Sequence, residues 1–470
     1  MRRGYITVFF AASMALIVLL FNVMIFGICK WGGYSKAQSA VDTAMISEFG
    51  EYNRELWNRY GLIFVDSAYT TQESSLNLSK KHLKECLTNN FDESFPSVLG
   101  GKDLYGLSVS KCEIDGVRMA TDDGGRALLE QAVLLMHYKY GEGYISDLIS
   151  FASEAEGYLI SPDDYISSAS SAEAALEADY DLTDYSGWVQ SVSYDVPDSF
   201  EGSLSYFSIL RKILPEPESV SKKTINDSNL AGNRSLNTGN LKTDYEVSAI
   251  DKCIFTEYLF ETLSSYLNEN ENVSPAYQTE YLIAGRQSDI QNLEIVSKRI
   301  MYIRLAADIL SLLSDSERME GIKAVSEGVM SLLGAPEAAP LLEAVIVAGW
   351  SYLEAESDMR ILMSGKKVNF MKSHDEWRTG LLGIFSKGAG DGDEEGLGYR
   401  DYLRIFLFTS DKEVLMKRFE NVIEADIRAV SGYEYFRLDN CFDNMAVSVT
   451  IKSKKGFKYC ATRQKGVTTK

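Results

Sequence analysis

Residues 5–29 read YITVFFAASMALIVLLFNVMIFGIC and hold no charged side chain. No other stretch restricts the fold as strongly. At about 1.5 Å rise per residue, a helix of this length crosses a hydrocarbon core of roughly 30 Å with some tilt. A cleaved secretory signal has a shorter apolar region, of about 7–15 residues. The small residues Ala37 and Ser39 suit a cleavage site but lie well past the apolar run. A helix in a soluble core rarely runs this far without a charge. The segment is therefore expected to span a membrane from Tyr5 to Cys29, in contact with lipid, with Phe9 and Asn22 inside it. Arg2 and Arg3 precede it, and the positive-inside rule then places the N-terminus in the cytoplasm and the remaining chain outside, as a single-pass cell-membrane protein. Asn22 is the one strongly polar amide of the segment, either bonded to a partner helix or simply tolerated.

The rest of the chain is acidic. Its 470 residues carry 67 Asp and Glu against 47 Lys and Arg, a net charge of −20, while 45% of residues are apolar. That apolar content supports a folded core rather than disorder, and the length suffices for two or three domains. The charge argues against nucleic acid, whose phosphates need a basic surface, and suits a solvated, self-repelling exterior. Six cysteines, Cys29, Cys86, Cys112, Cys253, Cys441 and Cys460, show no CxxC pair or zinc-like spacing. They read as buried thiols or as one or two disulfides, with Cys86 and Cys112 the most local pair.

After Gly32 and Gly33, the apolar positions Ala37, Ala40, Val41, Ala44, Met45, Phe49, Tyr52 and Leu56 recur at three- and four-residue steps. This spacing predicts an amphipathic helix stopped by Gly61, and Leu62–Val65 then reads as a buried strand. A membrane helix that continues into an amphipathic helix under a globular head is a pilin-like layout; any tethered domain can also carry a juxtamembrane helix.

The openings RRGYITVFFAASMALIVLL and AVDTAMISEFGEYNRELWNRYGLIFVD resemble the start of domain-of-unknown-function family 5702. The resemblance returns at Thr121–Tyr140, Thr279–Ile300, Ala335–Val368 and Gly396–Phe408. It implies a protein anchored at the surface of Gram-positive bacteria, in the setting of Tad-type pilus and type II secretion-like machinery, with an N-terminus similar to TadE-like pseudopilins. It implies no molecular activity. Prepilin peptidases cut after a Gly that follows basic residues, which here makes Gly4 and Tyr5 the candidate processing site. The fifth mature residue of a typical pilin is Glu, and here that position is Phe9. This departure speaks against ordinary filament assembly and leaves room for a minor, capping or non-filament role.

Four parts are expected along the chain. Residues 1–30 form the cytoplasmic stub and membrane helix. Residues 31–184 hold the amphipathic extension and a first α+β part, with a strand at Leu104–Met119 and a helix from Thr121-Asp122-Asp123 to Gly141. Residues 185–245, rich in Ser, Asn, Asp and Gly, read as a polar linker or insertion. Residues 246–470 read as mainly helical with C-terminal strands. There Leu293, Val296, Ile300, Ile303, Ala307 and Leu310 make a packing seam, and Leu341–Trp350 suggests a buried central helix. Met445–Lys452 alternates as a late strand, with Gly456–Tyr459 as its hairpin partner. The basic tail from Lys452 to Lys470 reads as a solvated, frayed end, or as a contact for the acidic body, anionic wall polymer or a partner subunit. The fold class is α+β: a helix-dominated ectodomain with a few strands on a single N-terminal transmembrane helix.

Chemistry is thinly represented. His82, His137 and His374 form no metal-ligand spacing, and neither a GxSxG elbow nor a phosphate loop is present. The acidic stretch Asp391-Gly392-Asp393-Glu394-Glu395 is the best candidate for an ion, with Asp391, Asp393 and Glu395 as calcium ligands. The twelfth position is Tyr402 where an EF-hand needs Glu, so a solvated loop is the simpler reading. No cofactor and no enzyme activity are expected. The expected role is a pseudopilin-like or accessory structural component of a Tad-type pilus or type II-like secretion apparatus, with its subunits as partners. The alternatives are a surface binding or sensory ectodomain for wall polymer or another ligand, and an extracellular hydrolase.

Overall fold

The computed structural model describes residues 3–72, 75–91, 105–158, 208–242, 245–270, 272–380 and 396–467. It is α+β and helix-dominated, with one long apolar N-terminal helix. The chain divides into two compact units interleaved in sequence. One comprises Met1–Leu135, Asn229–Glu246 and Ile423–Lys470; the other comprises Met136–Ser228 and Val247–Val422.

The first unit begins with α1 (Arg3–Gly50), a single helix. From Ile6 to Ile28 its large apolar side chains are exposed, and further along Ala37, Val41, Ala44 and Met45 are buried. Gly32 and Gly33 do not interrupt it. The helix does not reach Gly61 as the apolar spacing predicts. It ends at Gly50, and a separate short helix α2 (Arg54–Tyr60) follows. Asn53 causes the restart: its side chain accepts a hydrogen bond from the Leu56 amide at 3.0 Å, satisfying a donor that the first turn leaves open. Gly61 then closes α2 in the left-handed conformation, φ 65°. Of the expected strand, only Val65–Asp66 (β1) pairs, although Leu62 and Phe64 are also buried.

A four-stranded antiparallel sheet is built around β5 (Cys441–Ser453). The strand β2 (Leu107–Met119) pairs along one edge from Leu107↔Ser453 to Met119↔Phe442, with three register shifts. Along β5, β6 (Lys458–Gly466) pairs from Lys452↔Lys458 to Asn444↔Gly466, and β1 pairs at Cys441 and Phe442. The inward side chains Val447, Val449 and Ile451 alternate with outward Ser448, Thr450 and Lys452, the period-two pattern of a strand with one face in the core. They meet Val41, Ala44 and Met45 of α1 and Leu83 and Leu87 of α3 (Asn77–Asn89) in one apolar cluster. Residues 452–466 of the basic tail are therefore not frayed: they belong to the β5–β6 hairpin, and Arg463 pairs with Asp42 at 2.9 Å.

The helix α4 (Asp122–Tyr158) opens beyond β2. Asp122 does not cap its own helix. Its carboxylate accepts hydrogen bonds from the amides of Met119, at 2.7 Å, and of Gly239, so it ties the 229–246 segment to the end of β2. The helix passes through Gly141, where a stop was expected, with φ 69° at that residue. Residues 159–207, which include the first part of the polar stretch 185–245, lie outside the described residues.

The second unit is helical apart from a short antiparallel pair, β3 (Lys367–Val368) with β4 (Leu397–Gly398). Its main elements are α5 (Ser208–Ile213), α6 (Ala249–Thr262), α7 (Gln278–Ala284), α8 (Asp289–Ser314), α9 (Ser316–Leu332), α10 (Ala339–Met363) and α11 (Tyr399–Thr409). A last helix, α12 (Lys412–Arg428), leads back to the first unit's final segment. In α8, Leu293, Val296, Ile300, Ile303 and Ala307 are buried as the seam requires, while Leu310 is 47% exposed. The apolar Leu341–Trp350 stretch is not a buried central helix. Within it only Val347 and Trp350 are buried, and the closed part of α10 is its second half, including Ala355, Met359 and Ile361–Met363. Trp350 and Trp377 meet edge to face at 5.4 Å, with the Arg318 guanidinium over both rings.

Candidate functional site

Two features of the chain combine unusual residues with definite geometry. The first is the place in the first unit where α1 passes from bare to buried. Cys29 is 4% exposed, whereas Ile28 is 58% exposed. The turn of the β5–β6 hairpin produces this change. Phe457 packs edge to face on Phe26 with ring centroids 5.0 Å apart. Lys455 Nζ donates to Cys29 Sγ at 2.9 Å, and Tyr459 Oη donates to the Cys29 carbonyl at 3.4 Å. Gly32 and Gly33, one turn further on, leave room for two aromatic side chains. A Cβ on Gly32 would meet the Tyr105 hydroxyl, and one on Gly33 would lie 2.5 Å from the Tyr459 hydroxyl. The glycine pair is thus a seat for two tyrosines on a continuous helix. Trp31 and Tyr34 flank it on the exposed side, ring to ring at 6.2 Å. Tryptophan and tyrosine are the residues enriched where a membrane helix leaves the hydrocarbon.

Other residues singled out in the sequence fall as follows. Gly4 and Tyr5 lie in the first turns of α1, and Phe9 is 69% exposed on it. The Asn22 side-chain amide donates to the Val18 carbonyl one turn back, at 2.8 Å, so it has a partner within its own helix. Asp391, Asp393 and Glu395 lie outside the described residues. Among the described residues, no group of three or more His, Cys, Asp or Glu is placed to hold a metal ion. His82 stacks on Tyr69, His137 is exposed, and His374 Nδ1 lies 2.7 Å from Asp315. All six cysteines are free, and Cys86 and Cys112 both border the apolar cluster under the sheet.

The second feature is a buried charge cluster in the second unit that sequence reading does not find. Arg304 of α8 has no exposed side-chain surface. Its Nε and Nη2 donate to Asp358 at 2.9 and 2.5 Å, and its Nη1 donates to the carbonyls of Asn369 and Phe370. Lys372 bonds Glu354 and Asp358 at 2.5 and 2.6 Å, and Arg378 reaches Asp358 at 3.0 Å. Glu354 also accepts from the Thr379 amide and hydroxyl. Burial pushes Asp308 up to about 7, against the pull of Arg304 and Lys372. Desolvation acts on Asp358 too, but the adjacent Arg304 and Lys372 outweigh it and hold its carboxyl below the usual range. Three cations and three carboxylates close on one another here, so that removal of any one leaves an opposed charge buried. Its sequence signal is weak but real: Arg304 and Asp308, and Glu354 and Asp358, are pairs four residues apart in the helices α8 and α10.

A similar but smaller arrangement in the first unit joins Arg118 to Asp443 and Glu130, and Gln131 to Asp443 and to both backbone groups of Ile63. Arg234 bonds Glu424 and Asp439, fixing the 229–246 segment to the chain that enters β5. Each buried carboxylate of these groups has a structural partner.

A family described as a family of unknown function, DUF5702, matches residues 199–453, just over half of the chain. The match contains the blocks Thr279–Ile300, Ala335–Val368 and Gly396–Phe408, but neither α1 nor Thr121–Tyr140. No curated protein and no solved structure matches the chain.

Proposed function

The chain belongs to DUF5702, a family of unknown function, and we propose that it serves as a membrane-anchored structural component, pseudopilin-like or accessory, of a Tad-type pilus or type II-like secretion apparatus at the cell surface. One observation carries this reading. A single helix has an unburied apolar half, from Ile6 to Ile28, and a half packed into the head's own core, at Ala37–Met45. The anchor and the head are one mechanical piece through it, so a displacement of one in the membrane is transmitted to the other. A tether meant only to hold an enzyme or receptor near the bilayer needs no such continuity. The chain's own residues would act by assembly: α1 meets neighbouring helices in the bilayer, and the head presents its surface to partner subunits outside. No covalent chemistry enters this role.

The test is cross-linking in native membranes, with photoreactive residues placed along α1 at the exposed positions Phe10, Leu16 and Phe21. Capture of pilus or secretion subunits at these positions is expected. Labelling by lipid alone at all three, with no such subunit, would count against the assignment.

A further inference from the structure

We propose that the turn of the β5–β6 hairpin, Lys454, Lys455 and Lys458 around Phe457, binds the anionic phospholipid headgroups of the leaflet from which α1 emerges. The inference rests on residues 6–28 of α1 being the membrane span, and α1 then works as a ruler. The bare stretch Ile6–Ile28 covers about 34 Å of helix, slightly more than the roughly 30 Å of a hydrocarbon core. Its end is therefore the headgroup boundary. The hairpin sits at that height because Phe457 packs on Phe26, Lys455 bonds Cys29 and Tyr459 faces Gly33. Phe26 is two residues inside the boundary, about 3 Å along the axis, so the Phe457 ring reaches the outermost acyl region.

The chemistry of the turn suits that level. Lys454, Lys455 and Lys458 are exposed, and the Lys455 ammonium reaches Cys29 Sγ of α1. Long cationic side chains with apolar stems favour this boundary, where the stem is covered and the head meets phosphate. Trp31 and Tyr34 stand at the same height on α1. The charge is complementary and locally confined. The chain has a net charge of −20, yet residues 452–465 hold Lys452, Lys454, Lys455, Lys458, Arg463 and Lys465 and no acid. An acidic head is repelled by an anionic surface, and this hairpin supplies the attraction at the one place where approach is unavoidable. A surface lysine contributes roughly a fivefold gain in affinity for an anionic membrane, and each of the three adds to the attachment.

The experiment places the full chain in nanodiscs of phosphatidylcholine, with or without phosphatidylglycerol, and follows hydrogen exchange of the amides in residues 454–459. Incorporation into either disc reads the membrane span by itself, so failure of the span and failure of the lipid site are told apart. The expected result is slowing of exchange by roughly fivefold or more with phosphatidylglycerol, the factor that one lysine contributes. The variant Lys454→Gln/Lys455→Gln/Lys458→Gln should lose the difference between discs, and the corresponding triple Arg variant should keep it. Equal exchange in the two discs, or a difference that survives the Gln variant, would overturn the proposal. So would equal slowing in phosphatidylcholine discs on adding soluble glycerol phosphate polymer, because the site would then answer to polyanion rather than to lipid.

Discussion

Gly33 shows how little room the junction leaves. Alanine in a helix gains about 1 kcal/mol over glycine in propensity. At Gly33 its Cβ would lie 2.5 Å from the hydroxyl of the buried Tyr459, and such overpacking costs about 1–3 kcal/mol. Overpacking is the larger effect, so Gly33→Ala should lower the melting temperature of the full chain. In a Tyr459→Phe background the nearest atom is gone, though the ring Cζ stays 3.0 Å away, and the same substitution should cost clearly less. A loss of equal size in both backgrounds would show that the two residues do not meet. Glu280 makes a second residue-scale prediction. Complete burial pushes its carboxyl up to about 7, while its hydrogen bonds from the Tyr266 amide and the Tyr399 hydroxyl pull the other way. With the folded value above the unfolded one of 4.5, the neutral acid is the form that the fold favours. Its contribution is complete below 4.5 and is lost as pH rises to about 7, by roughly 3 kcal/mol for a shift of this size. Glu280→Gln should therefore flatten the melting temperature across that interval and match or exceed wild type above it; an unchanged pH profile would contradict the assignment.

At the scale of elements, the period of the apolar residues was enough to find α1, α8, the strands β2 and β5 and the hairpin partner of β5. It failed where a polar side chain decides the outcome. The spacing from Ala37 to Leu56 runs on in register across residues 51–53, and only Asn53, with its amide bonded to the Phe64 carbonyl and its side chain capping α2, breaks the helix. Asn53→Ala should cost about 1 kcal/mol, read as a melting shift. Leu341–Trp350 misleads for the opposite reason: a run of apolar residues says what an environment tolerates, and half of that helix remains partly exposed. The hairpin's meeting with α1 joins residues more than four hundred positions apart in sequence, and no local pattern encodes that. The Arg304 cluster was missed because charges within a helix ordinarily mark its solvent face. Removing one partner from such a cluster is worse than never having it, since opposed charges stay buried. Arg304→Met, which strips Asp358 of its closest cation, should destabilise the second unit by about 3–5 kcal/mol. A loss below 1 kcal/mol in denaturant unfolding would mean that water reaches the cluster.

For the whole molecule, the interleaving matters. The first unit takes its sheet from residues 107–119 and 441–466 and its long helix from the start of the chain, with the second unit's segments threaded between them. The first unit's sheet therefore closes only after the C-terminal strands exist, and a chain truncated before Cys441 loses the central strand on which β1, β2 and β6 all pair. The family match covers most of the described second unit and β5 but not α1, so the anchor rests on its own physics. That physics is the burial pattern of one helix, apolar and bare to Ile28, then covered along one face from Cys29, where a hairpin of the head meets it. Alkaline carbonate extraction of membranes from cells making the full chain tests this most directly. The intact chain, detected through its C-terminal region, should stay with the membrane pellet until detergent is added. Its release into the carbonate supernatant would contradict the account.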